Sequence, residues 1–122
     1  MASIMIADDS AFTRRTHRRI LESDGHVVHE AASGMAALEC FAVHRPDLVL
    51  LDLTMEDMSG LAVLAQMREM EAEARVVVIS ADVQRSTGEL VAQAGALRFL
   101  GKPVSSESLL GTVRDVLAES TS

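Results

Sequence analysis

Asp47-Leu48-Val49-Leu50-Leu51-Asp52 is the stretch whose reading decides the fold. Its unbroken apolar run, entered from Pro46 and closed by an acid, has the character of a strand buried on both faces, not the alternation of a half-exposed one. Such strands belong to open α/β sheets, where chemistry collects outside the carboxyl ends of the strands at the point where strand order reverses. Asp52 therefore stands where a reactive group is expected. Taken alone, an acid there serves equally well as a cap for the following loop or helix. The choice depends on whether other strands bring partners to the same rim.

Outward from this stretch the chain alternates strand and helix. Ser3 to Ala7 is a short apolar run ending at Asp8-Asp9-Ser10, and the following helix carries Phe12, Thr16 and Ile20 on one side. Asp24-Gly25 ends that helix, glycine supplying the left-handed position, and His26 to Glu30 form a second strand. Ser33-Gly34 opens a helix with Ala37, Leu38, Phe41 and Ala42 on one face, and His44-Arg45-Pro46 closes it, because the residue before proline leaves the helical region. Beyond Asp52, Gly60 to about Met70 reads as a helix with Leu61, Leu64 and Met67 inward, and Ala74 to Ser80 as another buried strand. A helix from about Arg85 to Ala94 closes at Gly95, Leu97 to Leu100 make the last strand, and Ser106 opens a helix with Leu109, Leu110, Val113, Val116 and Leu117 inward. Strict alternation with short connections predicts an α/β fold in one domain, residues 1–122: a single doubly wound five-stranded parallel sheet with right-handed crossovers and helices on both faces.

Composition narrows the function. The chain is 48% hydrophobic yet has no Trp or Tyr, so the core must be aliphatic, filled out by seven Met. A net charge of −7 repels phosphate backbones and anionic lipid, which argues against direct nucleic-acid or membrane binding and for protein or cation partners. Cys40 is the single cysteine, so neither a disulfide nor a cysteine-based metal site is available within the chain. No basic segment leads into a long apolar run and no stretch reaches ~18 apolar residues, so a cytoplasmic location is expected. His17, His26, His29 and His44 lack a shared face beside an acid and read as surface or packing residues.

In a parallel sheet, the strand ends bring Asp8-Asp9, Asp52, Ser80-Ala81 and Lys102-Pro103 to one rim. Two carboxylates ~4 Å apart repel by roughly 4 kcal/mol at an effective dielectric of 20, so this set calls for a cation. Mg²⁺ suits it, taking few carboxylates while leaving positions for water and phosphate oxygens, and no EF-hand spacing is present. For Asp8-Asp9-Ser10 alone, helix capping is the competing reading.

Asp8-Asp9-Ser10, Asp52 with Met58-Ser59-Gly60 behind it, Ser80-Ala81 and Gly101-Lys102-Pro103 together resemble the receiver domain of two-component response regulators, over essentially the whole chain. The resemblance implies a flavodoxin-like (βα)5 fold with strand order 2-1-3-4-5. It implies that Asp52 accepts a phosphoryl group, that Asp8, Asp9, Asp52 and the Thr54 carbonyl hold Mg²⁺, that Ser80 bonds the phosphoryl oxygen, and that Lys102 pairs with its charge across a cis Lys102-Pro103 peptide. Phe99 takes the place of a switch aromatic, against the plainer reading of a core residue, with the partner face formed by the fourth helix, fifth strand and fifth helix. Thr54 and Asp82 occupy positions that influence phosphoryl lifetime, and Glu56 stands where such receivers commonly have proline. The implied partners are a sensor histidine kinase or phosphotransfer protein, a downstream target protein and a phosphatase. Arg14, Arg15, Arg18 and Arg19 form a basic patch on the first helix, either a solvated face or a kinase dock. The Asp-Asp-Ser start and this patch look similar to chemotaxis-type receivers, although receivers also serve relays and development; the chain is read as a stand-alone receiver, with an excised domain as the alternative.

The chemistry agrees with these roles, since phosphoryl transfer needs a nucleophile, a metal and donors for the equatorial charge. Two other classes compete. A Mg²⁺-dependent aspartyl phosphohydrolase needs a second acid two residues after the nucleophile, where this chain has Thr54. A catalytically silent receiver used only for protein contacts would not need the full set of acids, hydroxyl and lysine. The reading is a signalling switch that catalyses only its own phosphorylation and dephosphorylation.

Overall fold

The two most apolar strands, Leu48–Asp52 (β3) and Val76–Ser80 (β4), lie side by side and are buried at every residue. The computed structural model describes residues 2–119. Ser3–Ala7 (β1) pairs with the other edge of β3, Val27–Ala31 (β2) lies outside β1, and Arg98–Gly101 (β5) lies outside β4, giving an all-parallel sheet of order β2-β1-β3-β4-β5. Having stepped out from β1 to β2, the chain crosses back to β3, so the order reverses between β1 and β3. Their carboxyl ends flank the resulting crevice.

Period-two alternation divides the core between the two faces. Ile4, Ile6, Leu48, Leu50, Val77 and Ile79 face Ala11–Ser23 (α1) and Ser106–Ala118 (α5), meeting Leu21, Leu109, Val113 and Val116. Met5, Ala7, Val49, Leu51, Val76 and Val78 face Gly34–His44 (α2), Gly60–Met70 (α3) and Arg85–Gln93 (α4), meeting Phe41, Leu64, Met67 and Val91. Each fully buried aliphatic side chain contributes about 1.5–3 kcal/mol, so the central strands dominate the stability of the sheet. Serines cap four helices: Ser10, Ser33, Ser59 and Ser105 each accept the amide three residues on, whereas α4 begins at Gln84 without a side-chain cap bond of its own. Gly25 and Gly95 take positive φ just past α1 and α4.

Several expectations are corrected. Phe12 is 75% exposed and Thr16 is exposed; α1 turns His17 and Leu21 inward instead. That helix packs on β1, β2 and α5 through the row that carries His17 and Leu21. Ala42 is exposed, lying about 100° around the helix from Phe41. On α3, Val63 is buried while Leu61 is only half-buried. The strands begin at Val27, Val76 and Arg98, one or two residues later than the patterns suggest. His29 and His44 pack as expected of them, their rings stacked at 4.0 Å between β2 and the end of α2.

Candidate functional site

At the end of β1 the Asp8 amide still donates to Ala31 O (3.1 Å), extending the ladder by one residue, and Asp8 is 3% exposed. Its Oδ1 accepts the Ser10 amide at 2.8 Å, and its Oδ2 accepts Lys102 Nζ at 3.0 Å. Arg14 Nη1 donates to the Asp8 carbonyl at 2.6 Å while Arg14 Nε pairs with Glu30 at 3.0 Å. Glu30 also takes Arg18 at 2.7 Å, so half of the expected basic patch is neutralised within the protein. Sequence reasoning placed Arg14 on a free surface; its role in bracing the turn after β1 depends on β2 lying alongside.

Asp52 is 6% exposed at the end of β3, its Oδ1 accepting the Thr54 amide at 3.2 Å and its Oδ2 standing 3.6 Å from Lys102 Nζ. Single carboxylate oxygens of Asp8, Asp9 and Asp52 lie within 4.8 Å of one another. Burial raises the Asp52 carboxyl above the usual carboxylate range, the Thr54 amide opposes this, and Asp8 adds to it. Burial works against the Lys102 ammonium as well, but its hydrogen bond to Asp8 and the Asp52 charge outweigh that and raise it. Three carboxylates thus face one ammonium with oxygen donors only, a set that fits a hard divalent cation such as Mg²⁺.

Ser80 is 1% exposed at the end of β4, on the strand adjoining β3. Its Oγ accepts the Asp82 amide at 3.0 Å, which leaves the hydroxyl proton free to be donated. Asp82 is exposed and serves α4 instead of the acid cluster: its Oδ1 accepts the Gln84 amide at 3.1 Å and its Oδ2 accepts Thr87 Oγ1 at 2.8 Å. Those two bonds, the Gln84 amide foremost, lower its carboxyl below the usual range. Thr54 and Glu56 are exposed on the loop after β3. Phe99 is half-buried against the core on the α4 side, and a Cβ on Gly88 would stand 3.5 Å from its ring. The Lys102-Pro103 peptide is cis.

The fold therefore brings Asp8, Asp9, Asp52 and Lys102 together, with the Thr54 amide at Asp52 and Ser80 on the neighbouring strand end. Asp82 bonds the entrance to α4, Glu56 is exposed and Phe99 packs against the core. Two features of the loop after β3 went unread in the sequence. Gly60 approaches the backbone so closely that a Cβ would stand 2.6 Å from Leu53 Cα and 2.8 Å from Asp52 O, a need signalled only by the glycine itself. Asp57 bonds the start of α2, far along the chain, and no local pattern announces that. Beside the cluster a cleft of about 400 Å³ opens between α1 and the turn after β5, lined by Phe12, Thr13, Thr16, His17, Lys102, Pro103 and Val104.

The family model for the response regulator receiver domain matches residues 4–114. The chain is 38% identical over 115 residues to the chemotaxis protein CheY of Bacillus subtilis, covering 93% of this chain and 96% of that protein. To the chemotaxis protein CheY of Halobacterium salinarum it is 30% identical over 114 residues, covering 93% of this chain and 95% of that one. Among solved structures it resembles the CheX-CheY-BeF3-Mg complex from Borrelia burgdorferi, with a TM-score of 0.92 and 32% identity over 96% of this chain and 90% of that chain.

Proposed function

This chain belongs to the response regulator receiver domain family, and from that premise we propose that residues 1–122 act as one phosphoreceiver unit in which Asp52 takes a phosphoryl group from the phosphohistidine of a sensor histidine kinase or phosphotransfer protein. Receiver domains are signalling modules, and the unit catalyses only its own phosphorylation and dephosphorylation. The observation that carries this reading is the convergence of buried Asp52 with Asp8, Asp9 and Lys102 at the reversal of strand order.

An Asp52 carboxylate oxygen forms the new bond to phosphorus as the bond from phosphorus to the donor imidazole nitrogen breaks, its electron pair remaining on that nitrogen. Lys102, already within 3.6 Å of Asp52, balances the phosphoryl charge. Ser80 donates its free hydroxyl proton to a phosphoryl oxygen. Asp8, Asp9, Asp52 and the Thr54 carbonyl would hold Mg²⁺, which when bound supplies neutralisation of phosphoryl oxygens. The presence of BeF3 and Mg in the Borrelia CheY complex supports this assignment. Thr54 and Glu56 on the exposed loop, with Asp82 across the rim, modulate the lifetime of the phosphoryl group.

The signal leaves through the loop from β4 to α4 and the face made by α4, β5 and α5, where Phe99 reports the state of Ser80 and a downstream target or phosphatase binds. Similarity to CheY proteins favours a chemotaxis-type pathway. No helix among the described residues is long and apolar enough to cross a membrane, and the unit is proposed to work in the cytoplasm. Incubation with acetyl phosphate and Mg²⁺ followed by intact mass measurement tests the reading: the wild type gains one phosphoryl group and Asp52→Asn gains none. A phosphorylated Asp52→Asn protein would overturn Asp52 as the acceptor.

A further inference from the structure

Leu53 to Ser59 form the loop that carries Thr54 past the acid cluster. Its base is closed by a Thr54–Ser59 bridge and by the Gly60 amide donating to Leu53 O at 2.7 Å. Its middle is anchored by Met55, which is buried in the core, whereas Glu56 is exposed and Met58 is half-buried. The part beyond Met55 is held by α2. Asp57 Oδ1 accepts the Gly34 amide at 2.9 Å and Oδ2 accepts the Met35 amide at 3.0 Å, while Met58 rests so closely on Gly34 that a Cβ there would stand 2.8 Å from Met58 Cγ.

The first amides of a helix have no partner within it, and the helix dipole favours a carboxylate there. On α2, Ser33 Oγ satisfies only the Ala36 amide, which leaves the two that Asp57 takes. The helix itself is rigidly seated, with Ala37, Leu38 and Phe41 buried in the core. We propose that Asp57 is a positioning residue for the acceptor loop: it clasps the loop to the seated end of α2 and so holds the Thr54 backbone at Asp52. The metal-binding part of this inference rests on the phosphoreceiver reading; the mechanical part does not.

The test compares Asp57→Ala, Asp57→Asn and Ser33→Ala with the wild type by amide hydrogen exchange at Thr54 and Gly60 in chelator. Ser33→Ala removes the other side-chain cap of the same helix without touching the loop, so it reports what helix capping alone contributes. In Asp57→Ala, exchange at Thr54 should quicken on the order of tenfold, as expected when hydrogen bonds to a charged group are lost. Asp57→Asn, which keeps one acceptor oxygen, should fall between, and Ser33→Ala should match the wild type. Mg²⁺ titration followed by NMR should then show weaker binding in Asp57→Ala and unchanged binding in Ser33→Ala. Unchanged Thr54 exchange in both Asp57 variants, or equal acceleration in Ser33→Ala, would reduce Asp57 to a helix cap. Should the wild type itself bind no Mg²⁺, the metal reading fails and the exchange comparison still decides the clasp. Should Asp57→Ala not fold, Asp57→Asn against Ser33→Ala makes the same comparison.

Discussion

Asp9 is the exposed member of an acid cluster whose other two members are buried. Its charge faces Asp8 and Asp52, with Lys102 the cation paired to those two carboxylates among the described residues, so in the absence of a metal it opposes folding. Asp9→Ala should therefore be at least as stable as wild type in chelator, gaining about 1 kcal/mol or less because solvent screens an exposed carboxylate. With Mg²⁺ present the order should reverse, since the wild type gains binding energy that the variant lacks. Urea denaturation with chelator and with Mg²⁺ checks both signs. A variant less stable than wild type in chelator would show that Asp9 has a structural role in the turn.

In the proposed switch, one short loop between β4 and α4 connects Asp52 to the surface. Ser80 Oγ holds the Asp82 amide, and the Asp82 carboxylate ties down the entrance to α4 through the Gln84 amide and the Thr87 hydroxyl. Drawing Ser80 toward a phosphoryl group on Asp52 would thus pull on the residue that seats α4. Phe99 lies beneath that helix beside Gly88, and Val83 lies over Gly101, where an added Cβ would stand 2.5 Å from Val83 Cγ1. Such an element can hold two arrangements separated by a few kcal/mol, as a single phosphoryl group requires to shift populations. Ser80→Ala should still be phosphorylated at Asp52 yet fail to transmit the event. The measurement is NMR of the Phe99 ring and of backbone amides from 81 to 100, with and without phosphorylation. Identical phospho-dependent shifts in wild type and Ser80→Ala would leave Phe99 as plain core.

The response of the whole molecule to acid follows from groups on both sides of the sheet. Burial lowers the pKa of His17, with Asp8 opposing and Lys102 assisting; burial, the neighbouring His44 and Arg18 lower that of His29. For both, the unfolded chain takes up a proton first as pH falls below 6.5, so stability is present above that value and is lost on descending through the folded pKa. The Arg18 and Arg14 partners of Glu30 lower its carboxyl, Arg114 lowers Asp24, and backbone amides lower Asp57, so a further loss follows as these folded carboxylates protonate. Asp52 runs the other way, since its raised carboxyl favours the folded state on protonation. Urea midpoints should accordingly be flat between about pH 7 and pH 8, decline from about pH 6.5 downward, and decline again as pH falls through the carboxylate range. His17 is 6% exposed and contributes through its own burial, so His17→Leu should flatten the first decline without removing the second. An unchanged slope between about pH 5 and 6.5 in that variant would assign the decline elsewhere.

Leu48 to Leu51 and Val76 to Ile79 needed no tertiary information to be read as central strands, because an unbroken apolar run can be satisfied only where both faces are covered. The rim acids were legible for a related reason: parallel strands deliver all their carboxyl ends to one side, so Asp8, Asp52, Ser80 and Lys102 had to share it. The strand order itself came from the family resemblance, since the alternation of strand and helix does not encode which strand lies beside which. Beyond that the tertiary structure decided. Burying Phe12 or His17 on α1 depended on which helical row met β1 and α5, and helical periodicity allows both. Arg14 and Arg18 became internal partners because β2 places Glu30 beside them, and Asp57 found its amides on α2, 22 and 23 residues earlier. Asp82 turned to α4, where the folded chain places the Gln84 amide and the Thr87 hydroxyl beside it. Apolar runs act through burial, which any cover satisfies; hydrogen bonds and ion pairs act over about 3 Å and in particular directions, so their partners exist only once the chain has folded.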